Sequence, residues 1–139
     1  MKINFYAEDV DLPKIDEIRA DHWLTQVIHY FDFEIGEISI IFTSDNYLLT
    51  LNNDYLKHDY FTDIITFNYS SKKSISGDLF ISVERVAENA NNFLVPFLYE
   101  LHRVMVHGVL HLIGFDDHSE QEIQKMRFEE EKWLKLIFA

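Results

Sequence analysis

"FLYELHRVMVHGVLHLIG", residues 97–114, decides how this chain is read. Leu, Val, Met and Ile fill half of it, in a pattern that suits a helix from about Phe97 to Ile113. Extended back to Phe93 it is the most apolar stretch of the sequence, yet it holds Pro96, Glu100, His102 and Arg103. Those residues are poor material for a membrane span, so a helix buried in a protein core is expected. Gly114 then stops it, because glycine adopts the left-handed conformation of a helix stop without steric cost. Gly108 sits inside the helix at a cost of about 1 kcal/mol relative to alanine, which points to close approach by another element.

A buried helix needs partners, and the flanking sequence supplies them. "KINFYAE" (2–8) alternates as a first strand, and Pro13 opens a helix through about Phe31 with Ile15, Ile18, Val27 and Ile28 as buried candidates. "GEISIIFTS" (36–44) is a β-branched second strand, and its Ser44 caps a helix running to about Leu56. "TDIITFNYS" (62–70) is a third strand, "SKKSISG" (71–77) a loop, and "DLFISV" (78–83) a fourth strand. "SVERVAENANNF" (82–93) is a short polar helix stopped before Pro96. "SEQE" (119–122) is a capping box of Ser119 and Glu122 that starts a last helix, with Ile123, Met126, Trp133, Leu134 and Ile137 for packing. The composite is α+β: a single domain over 1–139 with a mixed sheet of about four strands packed with helices.

At 139 residues and 47% hydrophobic, the chain is long enough for a real core and too apolar for disorder. The absence of cysteine excludes a disulfide framework, a thiolate zinc site and a cysteine nucleophile, and suits the cytoplasm. Glu8, Asp9 and Asp11 precede any apolar run, so neither a signal peptide nor a membrane partner is expected. A net charge of −12 disfavours non-specific binding of nucleic acid. Thirteen of the 24 acids lie before residue 35 or after residue 118, where they are expected to form a solvated exterior. Lys57, Lys72, Lys73, Arg85 and Arg103 occupy the middle.

On a helix, positions four apart differ by about 40° and one turn of rise, so His107 and His111 point the same way. Alone this is a weak signal, because seven histidines produce such a pair by chance often enough. Three features strengthen it. Leu110 and Leu112 set the rings in apolar surroundings where unpaired polar groups are costly. Gly108 brings another element near, and Gly114 turns the chain where it can return a third ligand. The pattern H-x-x-x-H-x-x-G-x-x-[H/D] is that of a zinc site with two ligands on a helix and one after a glycine turn. Ten residues on from His107 stands Asp117, followed by His118.

This motif, "HGVLHLIGFDDH" (107–118), resembles the signature of the YbeY family of bacterial metal-dependent endoribonucleases. The resemblance extends over most of the chain. "LNNDYLKHDYFTDIITF" (51–67) resembles the family's L-N-x-x-Y-R-x-K-D-x-x-T-D-V-L-S-F block, and "GDLFIS" (77–82) its G-D-I-x-I-S strand. It implies one bound Zn2+, a single-domain α+β fold and a single-strand-specific RNase. It also implies a role in 16S rRNA 3'-end maturation and ribosome quality control. The family's third histidine falls opposite Asp117, which keeps the glycine-to-ligand spacing and is the preferred third ligand; His118 is the alternative. The family's arginine is replaced by Leu56, leaving Lys57 or His58 to supply positive charge, and lysine is no equivalent of arginine at a bidentate phosphate contact.

A three-ligand zinc site leaves a position for water and lowers its pKa toward neutrality. Peptidases of the H-E-x-x-H kind carry a glutamate where this chain has Gly108, so the proton-transfer group must come from elsewhere. The catalytic candidates are His58, Asp59 and His118; Asp63 is a further proton-transfer candidate or else a strand-start or turn residue, and Thr62 a further cleft residue. His22, His29 and His102 lack a partner at ligand spacing and are expected to be surface or core. The partners implied are rRNA and the small ribosomal subunit, with a ribosomal protein or GTPase assembly factor as recruiter. The competing readings are a zinc hydrolase of other substrates and an assembly factor with structural zinc. Nickel or manganese could occupy similar ligands.

Overall fold

The computed structural model describes residues 2–139. Along the chain run β1 (Ile3–Ala7), α1 (Glu17–Tyr30), β2 (Glu34–Thr43), α2 (Asp45–Leu56), β3 (Ile64–Asn68), β4 (Ser74–Ser82), α3 (Val83–Phe93), α4 (Phe97–Ile113) and α5 (Glu120–Ile137). The four strands form one mixed sheet in the order β1-β2-β4-β3. β1 and β2 are parallel, as are β2 and β4, while β3 returns antiparallel along β4. The α+β expectation, with four strands, holds.

The period of two in each strand builds the core. Ile3 lies opposite Ile38, Phe5 opposite Ile40, and beyond them Leu79 and Ile81 continue the same face across β4. That face packs against α4, whose Leu101, Val104, Met105 and Val109 are all buried. α1 adds Trp23, Leu24, Val27 and Ile28, and α5 adds Met126, Trp133, Leu134 and Ile137. α2 lies on the other face, where Tyr47 stacks on Phe80.

α4 lies so close to the sheet because Gly108 allows it. A Cβ there would meet Ile64 Cδ1 at 2.7 Å and Leu79 Cδ1 at 3.0 Å, so the approaching element is the β3–β4 pair. Gly77 on β4 is as confined, with Phe67 O at 2.5 Å and Leu112 Cδ2 at 2.7 Å from a Cβ placed there. Glycine at both positions sets the distance from helix to sheet.

Several boundaries differ from expectation, each for a local reason. Pro13 does not open α1: the Asp16 side chain accepts from Arg19 N and caps the helix, so Glu17 is its first residue. Ile18 consequently faces solvent, 65% exposed, and Ala20, Trp23 and Leu24 take the buried positions. Ser74–Gly77 belongs to β4 rather than to a loop, since Tyr69 N donates to Ser76 O and Ser70 Oγ bonds both polar backbone atoms of Ser76. Val83 begins α3 instead of ending β4, because the Ser82 side chain caps that helix through Arg85 N. The capping box of α5 is formed as read, with Glu122 N donating to Ser119 Oγ at 3.1 Å and Ser119 N to Glu122 Oε1 at 2.8 Å. Ile123 is more exposed than its place in the apolar series suggested. Among the described residues no single helix is long and apolar enough to cross a membrane; α3 and α4 qualify only as a pair bent by 116°.

Candidate metal centre

His107 and His111 leave α4 one turn apart, and their rings meet edge to face. Gly114 ends the helix at a φ of 127°, outside the range L side chains readily adopt, and its N–H returns to Leu110 O and His111 O. The chain thereby doubles back, and Asp117 arrives beside the two imidazoles before Ser119 starts α5. His111 Nε2 lies 3.1 Å from His107 Nε2 and 3.3 Å from Asp117 Oδ2, and His107 Nε2 lies 3.4 Å from the same oxygen. A tetrahedral ion with bonds of about 2.0–2.1 Å spaces its ligand atoms about 3.3–3.4 Å apart. The triangle is therefore of the size one face of such a site requires. Among the described residues this is the one group of histidine and acidic ligand atoms so gathered.

The triad is neither sealed nor loose. The side chains of His107 and His111 are 17% and 21% exposed and that of Asp117 is 37% exposed, so solvent reaches the open side of the triangle. A cavity of about 180 Å3 adjoins it, lined by Arg103, His107, Asp117, Met126, Arg127 and Glu130. On the inner side His107 Nδ1 lies at hydrogen-bond distance from Glu130 Oε2, 2.6 Å. Arg103 bonds the other oxygen of Glu130 at 3.0 Å and grips both oxygens of Glu100, at 2.8 and 2.6 Å. Burial alone would lower the pKa of Arg103, but its hydrogen bonds to Glu100 and the charge of Glu130 outweigh that and hold it above its ordinary value.

The other residues singled out in the sequence are placed as follows. His118 stands outside the triangle, 84% exposed, with its Nε2 3.9 Å from Asp116 Oδ1. His58 and Asp59 lie on the exposed α2–β3 loop, where His58 stacks on Tyr60 and its Nδ1 is hydrogen-bonded to the Tyr60 hydroxyl at 3.0 Å. No hydrogen bond or ion pair among the described residues joins either of them to the triad. From the same loop, Asp63 approaches the centre's inner side, 3.8 Å from Arg103 Nη2, and Thr62 Oγ1 is turned to Ile64 O. Leu56 and Lys57 close α2 and are exposed, with Lys57 in the left-handed conformation of a helix stop. His102 is buried and hydrogen-bonded to Leu98 O, a core residue as expected.

The sequence does not show the roles of Glu100 on α4 and Glu130 on α5, the acids after residue 118 reading as a solvated exterior. Glu130 is only 3% exposed. The available signal was its position, four residues after Met126 and three before Trp133, within the apolar stripe of α5.

The fold and the triangle define a class: a small α+β protein with a histidine–carboxylate triad able to hold a metal ion at an open face. The family model described as "Endoribonuclease YbeY" matches residues 3–137. Relatives named Endoribonuclease YbeY include one from Flavobacterium psychrophilum, 47% identical over 93% of this chain and 92% of its own. Another, from Phocaeicola vulgatus, is 44% identical over 97% of this chain and 98% of its own. A third, from Porphyromonas gingivalis W83, is 43% identical over 98% and 90%. The solution structure of TM1509 from Thermotoga maritima shares the fold, with a TM-score of 0.69 over 96% of this chain and 87% of that one, at 24% identity. This chain belongs to the YbeY endoribonuclease family.

Proposed function

We propose that this chain is a single-strand-specific, zinc-dependent endoribonuclease acting in 16S rRNA 3'-end maturation and ribosome quality control. Family membership supports the nuclease, and the observation that carries the reading is the triangle of His107 Nε2, His111 Nε2 and Asp117 Oδ2, with edges of 3.1–3.4 Å and one side open to solvent. Those three residues would hold the ion, and their nitrogen and carboxylate donors suit zinc. When bound, the metal supplies a Lewis acid for the scissile phosphate and lowers the pKa of the attacking water.

The chain's own residues then do the rest. His118, beside Asp117 and exposed, is the group suited to moving a proton at the leaving oxygen, a contribution of about 10²–10⁴ in rate. His58 and Asp59 are the further catalytic candidates, on the α2–β3 loop, and Lys57 or His58, next in the chain to the Leu56 that stands in the arginine position, offers the positive charge. The partners are the small ribosomal subunit and a ribosomal protein or GTPase that brings the enzyme to it, a route that suits a chain whose net charge of −12 disfavours non-specific RNA binding.

Purified protein incubated with precursor small-subunit rRNA, beside His111→Ala, tests the reading: cleavage by the first and none by the second is expected. Identical cleavage by both assigns the nuclease to a contaminant. A second reading, an assembly factor with a structural metal, draws on Leu56 standing in the arginine position. Metal binding without cleavage by the wild type would select it.

A further inference from the structure

Behind the metal centre two carboxylates have almost no access to water, Glu100 at 1% and Glu130 at 3% exposed. An ionised carboxylate so placed is costly unless its oxygens are all answered. Arg103 answers three of the four: Nε and Nη2 take both oxygens of Glu100, and Nη1 takes Oε1 of Glu130. The fourth, Glu130 Oε2, is turned to His107 Nδ1 at 2.6 Å. An ionised carboxylate only accepts, so the proton of this bond belongs to Nδ1. A neutral imidazole protonated there carries its lone pair on Nε2, the nitrogen that faces His111 and Asp117. His111 has no such brace, its Nδ1 being without a protein partner among the described residues.

We propose that Glu130, held in place by Arg103 and Glu100, is a positioning residue that fixes the tautomer and ring direction of His107 and thereby sets the metal affinity of the centre. This rests on the metal-centre reading above. Glu130 is not one of the ligand group, its two oxygens being taken by Arg103 and by His107 Nδ1. Its charge, with those of Glu100 and Asp117, exceeds that of Arg103, so the brace also leaves a local surplus of negative charge for a dication to meet.

Glu130→Gln preserves shape and isolates the effect. Its amide oxygen satisfies Arg103 only if its NH2 group faces His107, which favours the opposite tautomer and removes the lone pair from Nε2. Competition with a chromophoric chelator should show zinc bound about 10–100-fold more weakly than by wild type. Nitrogen NMR of zinc-loaded wild type needs no variant and covers the case in which Glu130→Gln fails to fold: His107 should carry a hydrogen-bonded proton on Nδ1 and the metal on Nε2. Equal zinc affinity in a folded Glu130→Gln, or metal on Nδ1 of His107, overturns the role of Glu130 and leaves the metal centre standing. A wild type that binds no zinc overturns both.

Discussion

His107, His111 and Asp117 form the centre because a helix turn, a glycine stop and a short loop bring three ligand atoms within 3.4 Å of one another. The choice between neighbours Asp117 and His118 is therefore one of geometry. Zinc content should fall to background in Asp117→Ala and stay at the wild-type level in His118→Ala; the reverse pattern would make His118 the ligand. Gly77→Ala tests the packing beneath, since the new Cβ meets the carbonyl of Phe67, which belongs to the sheet and cannot swing away. Chemical denaturation should show a loss of about 1–3 kcal/mol. At this scale the histidine pair and Asp117 were legible because they lie near one another in the chain; a glycine inside a helix signalled a close approach at position 108, but not that Ile64 and Leu79 make it. Glu130 was not legible, because its role arises only where α5 crosses α4.

The elements were readable where a local signal marks their ends, as Ser44 and Ser119 do, and misread where a weaker one competes. Pro13 suits a first helical position, but Asp16 supplies the side-chain acceptor and so the true start. Ser119→Ala removes the cap of α5 next to the triad loop and should cost about 1 kcal/mol in a denaturation experiment. On α4, burial lowers the pKa of His102 more than its hydrogen bond to Leu98 O raises it. A histidine with a depressed folded pKa binds more protons when unfolded. The stability it contributes is thus complete above the unfolded value of about 6.5 and declines as pH falls through it toward the folded value. The stability difference between wild type and His102→Gln should accordingly shrink as pH is lowered from 7.5 to 5, and a difference constant with pH would refute this.

Across the whole molecule the α+β class followed from strands and helices interspersed along the sequence, but the strand order β1-β2-β4-β3 did not. That β4 inserts between β2 and β3 depends on pairing between distant segments, which no period in a single segment records. The same arrangement seats α4 over the β4–β3 side of the sheet, joining the centre to the core. Metal binding should therefore stabilise the entire domain: zinc at a free concentration of about 100 Kd adds about 2.7 kcal/mol, which raises Tm by about 8–10 °C at this chain length. The most direct test of the centre itself is elemental analysis of the purified protein after zinc loading and gel filtration, beside His111→Ala of matched far-ultraviolet circular dichroism. One zinc per wild-type chain and none in the variant is the predicted result; equal zinc in the two proteins, or none in either, would contradict it.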